Sequence, residues 1–143
     1  MRLTRHTDYA LRTLTYLAIH EEAPARIADI ARRMGMPEDH VAKVVARLAA
    51  LGYLETIRGR VGGARLARAP EMINVGEVVR ATEDNLTLVE CFDPSTNGCP
   101  VAPACTLAPA LGAALDAFFA VLDRYTIADL TAKPRSLKRL LLV

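Results

Sequence analysis

"PEDHVAKVVARLAALGYLETIRGRVGGARLAR", residues 37–68, changes its hydrophobic period half-way along. Val41, Val44, Val45, Leu48 and Leu51 recur at spacings of three and four, the mark of a helix with one buried face. Pro37 suits the first helical position, and Glu38 and Asp39 suit its positive end. Gly52 closes the helix. Beyond it, Leu54 to Ile57 and Ala64 to Leu66 are short extended runs flanking "RGRVGG", whose glycines permit the positive φ values of a hairpin turn. A helix followed by an arginine-bearing hairpin predicts the recognition helix and wing of a winged helix-turn-helix.

Working back from that stretch, Ile27, Ile30, Ala31 and Met34 predict a short preceding helix that Gly35 ends as the left-handed residue. "EEAPA" separates it from a first helix over about residues 7–20, marked by Ala10, Leu11, Leu14, Leu17 and Ala18. Thr4 or Thr7 can cap that helix, and Asp8 lies in its first turn. Working forward, Asn74 and Glu77 have capping-box spacing and predict a helix over about 75–83. An extended "LTLVE" then leads into a loop that holds every cysteine of the chain: Cys91, Cys99 and Cys105.

After Cys105 the positions Leu107, Leu111, Leu115, Phe118 and Leu122 form a helical stripe, but Ala110, Ala113, Ala114, Ala117, Ala120 and Val121 make the other faces apolar too. A helix apolar nearly all round must be covered nearly all round, and so short a chain predicts a homodimer to do it. A short "IADL" turn and a basic tail with Leu137, Leu140 and Leu141 follow. The expected fold class is mainly α: a winged helix-turn-helix with a small β-hairpin wing, a cysteine loop and a long C-terminal dimerisation helix. The expected divisions are 1–70 for DNA binding, 71–104 for a connecting helix and cluster-binding loop, and 105–143 for the dimerisation helix and tail.

The charge agrees with that division of labour. The whole chain carries +2, yet residues 1–70 hold twelve Lys/Arg against seven Asp/Glu, a net of +5, and residues 71–143 hold six against nine, a net of −3. A basic first half suits a polyanion. Projected at 100° per residue, Asp39, Ala42, Lys43, Ala46 and Arg47 fall opposite the buried stripe of the recognition helix, with His40 at the margin. Small alanines let a helix approach the major groove, and Lys43 and Arg47 reach phosphates or guanine edges. Arginines on a narrow hairpin suit the minor groove. The expected DNA contacts are His40, Lys43, Arg47, Arg58, Arg60 and Arg65, with Arg68 beside the hairpin. "GRVGG" lacks the Gly-Lys-Ser/Thr of a nucleotide-binding loop.

Arg2 and Arg5 precede no uninterrupted apolar run, so no secretory leader is expected, and Asp116 interrupts the most apolar segment, so no membrane span is expected either. In the cytoplasm that this implies, clustered cysteines point to metal chemistry or redox sensing before structural disulfides. Their Cys-x7-Cys-x5-Cys spacing is too wide for zinc-ribbon knuckles. From the cysteines alone, an iron–sulfur cluster, a zinc site and a thiol or disulfide switch all stay open. No histidine or acid/base pair accompanies them in sequence, which argues against an enzyme and leaves no catalytic residue to name.

"TDYALRTLTYLA" near the start, "IADIARRMGMPEDHVAKVVARLAALGYLETIRGRVGGARLA", "NLTLVECF" and "LDRYTIADL" together resemble the NsrR family of nitric-oxide-sensing repressors, over almost the whole chain. That family shares a winged-helix superfamily with IscR, the iron–sulfur-biogenesis regulators. The resemblance implies a homodimer that binds an inverted-repeat DNA operator and holds one iron–sulfur cluster per subunit, of 4Fe-4S type with 2Fe-2S as the alternative. It implies three cysteine ligands, Cys91, Cys99 and Cys105, and one ligand that is not cysteine. IscR uses a histidine just after its third cysteine, whereas residues 106–143 here contain none. NsrR-like proteins supply an aspartate from the first helix of the other subunit, which the "TDYALR" match places at Asp8. In that picture the bound cluster favours operator binding and nitrosylation releases DNA. A cluster-status or redox sensor, or a zinc or thiol switch, is the alternative. The seven-residue gap after Cys91, with "DPST" inside it, is longer than the family pattern.

Overall fold

The computed structural model describes residues 2–20, 24–59 and 62–141. Helix α1 runs Arg5–Ile19, α2 Ile27–Met34 and α3 Glu38–Ala50, followed by strands β1 Leu54–Ile57 and β2 Gly63–Leu66. Then come α4 Val75–Thr82, α5 Leu107–Leu122, the single turn α6 Ile127–Leu130 and α7 Pro134–Leu141. The fold is mainly helical with one two-stranded antiparallel sheet, and the boundaries of α1 to α4 lie within two residues of those read from periodicity.

Local chemistry sets these ends. The Thr4 side chain accepts the Thr7 N–H at the start of α1. Gly35 stops α2 at φ 64°, a conformation that costs a residue with a Cβ but not glycine. Asn74 caps α4 by accepting the Glu77 N–H at 3.0 Å. Thr126 and Asp129 form a reciprocal capping box around α6.

The core is built around α1, which packs against α2, α3, α4, α6, α7 and β2. Leu14, Ile30, Val41, Val44, Val45, Leu48, Ile73, Val78 and Ile127 are all buried in one cluster. Each such side chain contributes up to about 1.5–3 kcal/mol by leaving water. Thr13 is buried as well, and its hydroxyl has no hydrogen-bond partner among the described residues.

The hairpin register sets Leu54 opposite Leu66, Glu55 opposite Arg65, Thr56 opposite Ala64 and Ile57 opposite Gly63. Ala25, in the connection before α2, exchanges both backbone hydrogen bonds with Ala64, at 2.9 and 2.8 Å, and so forms an isolated bridge on the outer edge of β2. Gly63 is required there, since a Cβ would overlap the Ala25 carbonyl. The expected extended run "LTLVE" forms no strand: residues 83–89 carry no helix or strand. No helix among the described residues is long and apolar enough to cross a membrane.

Candidate nucleic-acid interface and cysteine loop

Helix α3 buries Val41, Val44, Val45 and Leu48 and exposes Asp39, His40, Ala42, Lys43, Ala46 and Arg47, the division that the projection gives. His40 meets the Tyr9 ring of α1 edge-on, with centroids 5.8 Å apart. Lys43 is exposed and makes no ion pair among the described residues. Arg47 is exposed but turned aside, donating to the Ala81 carbonyl in the last turn of α4 at 3.1 Å.

On the wing, Arg58 is exposed beyond the end of β1. Arg65 pairs across the strands with Glu55 at 2.7 Å, an exposed contact that takes up part of its charge. Arg60, at the hairpin tip, lies outside the described residues. Arg68 points back toward the body. Its Nε donates to the Gly52 carbonyl at 3.0 Å, and its guanidinium lies over the Tyr53 ring. It therefore closes the C-terminal end of α3 and joins it to the hairpin. Burial pushes the Tyr53 phenol above its usual range, with Glu77 adding to the shift and Arg68 opposing it.

The second candidate surface is the loop between α4 and α5. Cys91, Cys99 and Cys105 are all free and partly buried. Around them the chain makes single 3-10 turns at Glu90–Phe92 and Ala102–Ala104. Its side-chain hydrogen bonds are local: Asp93 accepts from the Ser95 N–H and hydroxyl, and Asn97 accepts the Cys99 N–H at 3.1 Å. The Ser95 hydroxyl, followed by its N–H, holds the Asp93 carboxyl below its usual range. At the root of the loop, Glu83 accepts the Thr4 N–H at 2.7 Å and so ties the start of α1 to the end of α4. A cleft of about 200 Å³ opens beside this contact, lined by Leu3, Leu86, Leu88, Leu115 and Phe118 among others.

Asp8 is on the exposed side of α1, forked by Arg12 through Nε–Oδ1 at 3.0 Å and Nη2–Oδ2 at 2.8 Å. In the single chain it does not join the thiols: among the described residues no three His, Cys, Asp or Glu side chains converge as a metal would require. The donor chemistry nevertheless suits a thiolate-held iron–sulfur cluster. Three free thiols lie on one loop, and the half-exposed Asp8 carboxylate is held by Arg12, a neighbour that a metal could replace.

A body that presents one helix and an arginine hairpin in this way is a winged-helix transcriptional regulator. The family follows from comparison with known proteins: the chain belongs to the Rrf2 family, described as "Iron-dependent Transcriptional regulator", whose pattern matches residues 3–133. It is 52% identical over 142 residues to the HTH-type transcriptional regulator NsrR of Geobacillus kaustophilus, covering 99% of this chain and 97% of that one. It is 48% identical to the regulator of the same name from Bacillus subtilis, again over 99% and 97%. Among solved structures it resembles IscR of T. potens, with a TM-score of 0.74 and 26% identity, covering 92% of this chain and 87% of that one. These relatives are DNA-binding regulators, and this chain is a regulator rather than an enzyme.

The residues that sequence reasoning missed hold the body together. In the sequence Arg68 reads only as a charge, and the pairing of Arg80 with Asp123 joins residues 43 apart, with nothing local to announce it.

Proposed function

We propose that the chain is a nitric-oxide-responsive transcriptional repressor of the cytoplasm, a homodimer on an inverted-repeat operator. In this reading Cys91, Cys99, Cys105 and Asp8 of the partner subunit hold one iron–sulfur cluster per subunit. The observation that carries it is the set of three free, partly buried thiols on the one loop between α4 and α5. The resemblance to the NsrR regulators supports the signal, and the exposed apolar faces of α5 support the dimer. The cluster, when bound, supplies iron that reacts with nitric oxide.

The protein's own part is mechanical. Asp8 sits in the first turn of the helix whose buried face supports α3, and Tyr9 next to it touches His40 at the start of α3. Engaging the Asp8 carboxylate elsewhere removes it from the Arg12 fork and loads α1, and a load on α1 reaches the recognition helix through that packing. His40, Lys43, Arg47, Arg58, Arg60 and Arg65 then meet the operator, with phosphates setting position and base edges setting sequence.

The test is anaerobic purification with iron and sulfide analysis and a visible spectrum, followed by nitric oxide titration with operator binding read in the same sample. The expected result is iron and sulfide that copurify and a spectrum that bleaches as DNA is released. Asp8→Ala should keep iron but change the spectrum and weaken its coupling to DNA; an unchanged spectrum and response exclude the ligand role. The Asp8–Arg12 fork favours a second reading, a zinc or thiol switch in which Asp8 only steadies α1. Zinc in the purified protein, or no metal even after reconstitution, selects it.

A further inference from the structure

Helix α5 is fixed to the body near one end. Phe119 is its only buried residue, and its main packing partner is α4. At that end the Arg80 guanidinium grips Asp123 with two parallel bonds, Nη1–Oδ1 at 2.6 Å and Nη2–Oδ2 at 2.8 Å. The same guanidinium lies over the Phe119 ring, 4.1 Å from its centre. Asn74 donates to the Asp123 carbonyl at 2.7 Å, and the Val75 N–H donates to the Tyr125 carbonyl at 2.9 Å. Gly76 lies beneath the carboxylate, and a Cβ there would overlap Asp123 Oδ1. A planar fork held on a ring, with its acid seated on a glycine, constrains direction as well as distance.

We propose that this Arg80–Asp123 clasp, seated on Gly76 and Phe119, is a specificity-determining joint: it sets the angle between α5 and the DNA-reading body, and through it the half-site spacing that the dimer accepts. The inference rests on the dimeric operator reading given above. Its leverage is geometric. A 16-residue helix is about 24 Å long, so a tilt of about 10° at the clasp moves its far end by about 4 Å, close to one base-pair step of about 3.4 Å. A rigid joint therefore rejects an operator with one base pair added or removed, and a loose joint tolerates it.

The experiment uses the full-length protein as purified and an operator selected from random-sequence duplexes, rebuilt with one or two base pairs added to or removed from its centre, together with a single half-site. Wild type should lose about tenfold in affinity for a one-base-pair change, whereas Arg80→Gln, Asp123→Asn and Gly76→Ala should each lose about twofold or less. Sedimentation and single-half-site affinity should stay at wild-type values while the melting temperature falls only modestly, whereas a general loss of structure would lower the single-half-site affinity as well. Variants that keep the wild-type spacing profile overturn the joint while leaving the dimeric reading intact. A wild type that is monomeric, or that binds the single half-site as tightly as the palindrome, overturns the dimeric reading and the joint with it.

Discussion

Helices α3 and α5 are nearly the same length and similarly rich in Ala, Val and Leu, yet they end in opposite conditions. In α3 the apolar residues fall on one face and four of them are buried; in α5 they cover every face and only Phe119 is buried. One helix is satisfied by its own chain. The other presents Leu107 at 62% exposure and Val121 at 45%, along a surface made mostly of alanine. The difference teaches that hydrophobic content does not say where a helix packs; the angular distribution of its apolar residues does.

The comparison is broken most forcefully from the α3 side. Leu48→Ala removes a fully buried side chain and should cost about 2–5 kcal/mol, read as a fall in the denaturation midpoint. On α5, Ala117→Glu places a charge on an exposed apolar face: the body should melt within about 0.5 kcal/mol of wild type. Its self-association should weaken by about a hundredfold, a difference of about 2.7 kcal/mol, measured by sedimentation. If both properties stay unchanged, α5 is not the dimer surface. Within the body, Thr13→Val replaces an unpartnered buried hydroxyl with a methyl of similar shape and should stabilise by about 1 kcal/mol, seen as a higher melting temperature. Lys43→Ala should reduce the slope of log affinity against log salt by about one, with the Arg65→Ala change smaller because Glu55 already shares that charge.

The smallest effect expected is acidic. Arg80 holds Asp123, and the Thr126 backbone N–H and hydroxyl hold Asp129, below the usual carboxylate range. A carboxyl whose folded pKa lies below its unfolded value stabilises above the unfolded value near pH 4, and that stabilisation is lost as pH falls through the folded value. Asp129→Asn should therefore flatten the stability profile in that acid range, leaving the variant slightly less stable than wild type near neutrality and level with it in strong acid. Acid titration of the melting temperature reads both ends.

Much of the body was legible because its signals are local. Period, Gly35, Pro37 and the Asn74 cap each act within one turn, and they placed α1 to α4. The wing followed from glycines and extended runs, but the bridge that ties it to the segment before α2 did not, since two alanines, Ala25 and Ala64, carry no sign that they pair. Arg80 with Asp123, and Arg68 with the end of α3, depend on segments brought together only by folding. The cysteine loop was legible as three soft donors near proline and glycine, but not in its arrangement: among the described residues no three such side chains come together. The "DPST" residues form an Asp93 turn that Ser95 closes.

The core has one further consequence, for the order in which the chain is made. Ile127, fully buried in the cluster centred on α1, and Leu141, packed against the same cluster, lie far along the sequence from α3. At a synthesis rate of about 5–20 residues per second, roughly 4 to 15 s separate the last residue of α3 from Ile127. During that interval α1 and α3 exist without the residues that complete the core around α1. The core around α1 is thus completed only after α5 has been translated, so the body closes late in synthesis.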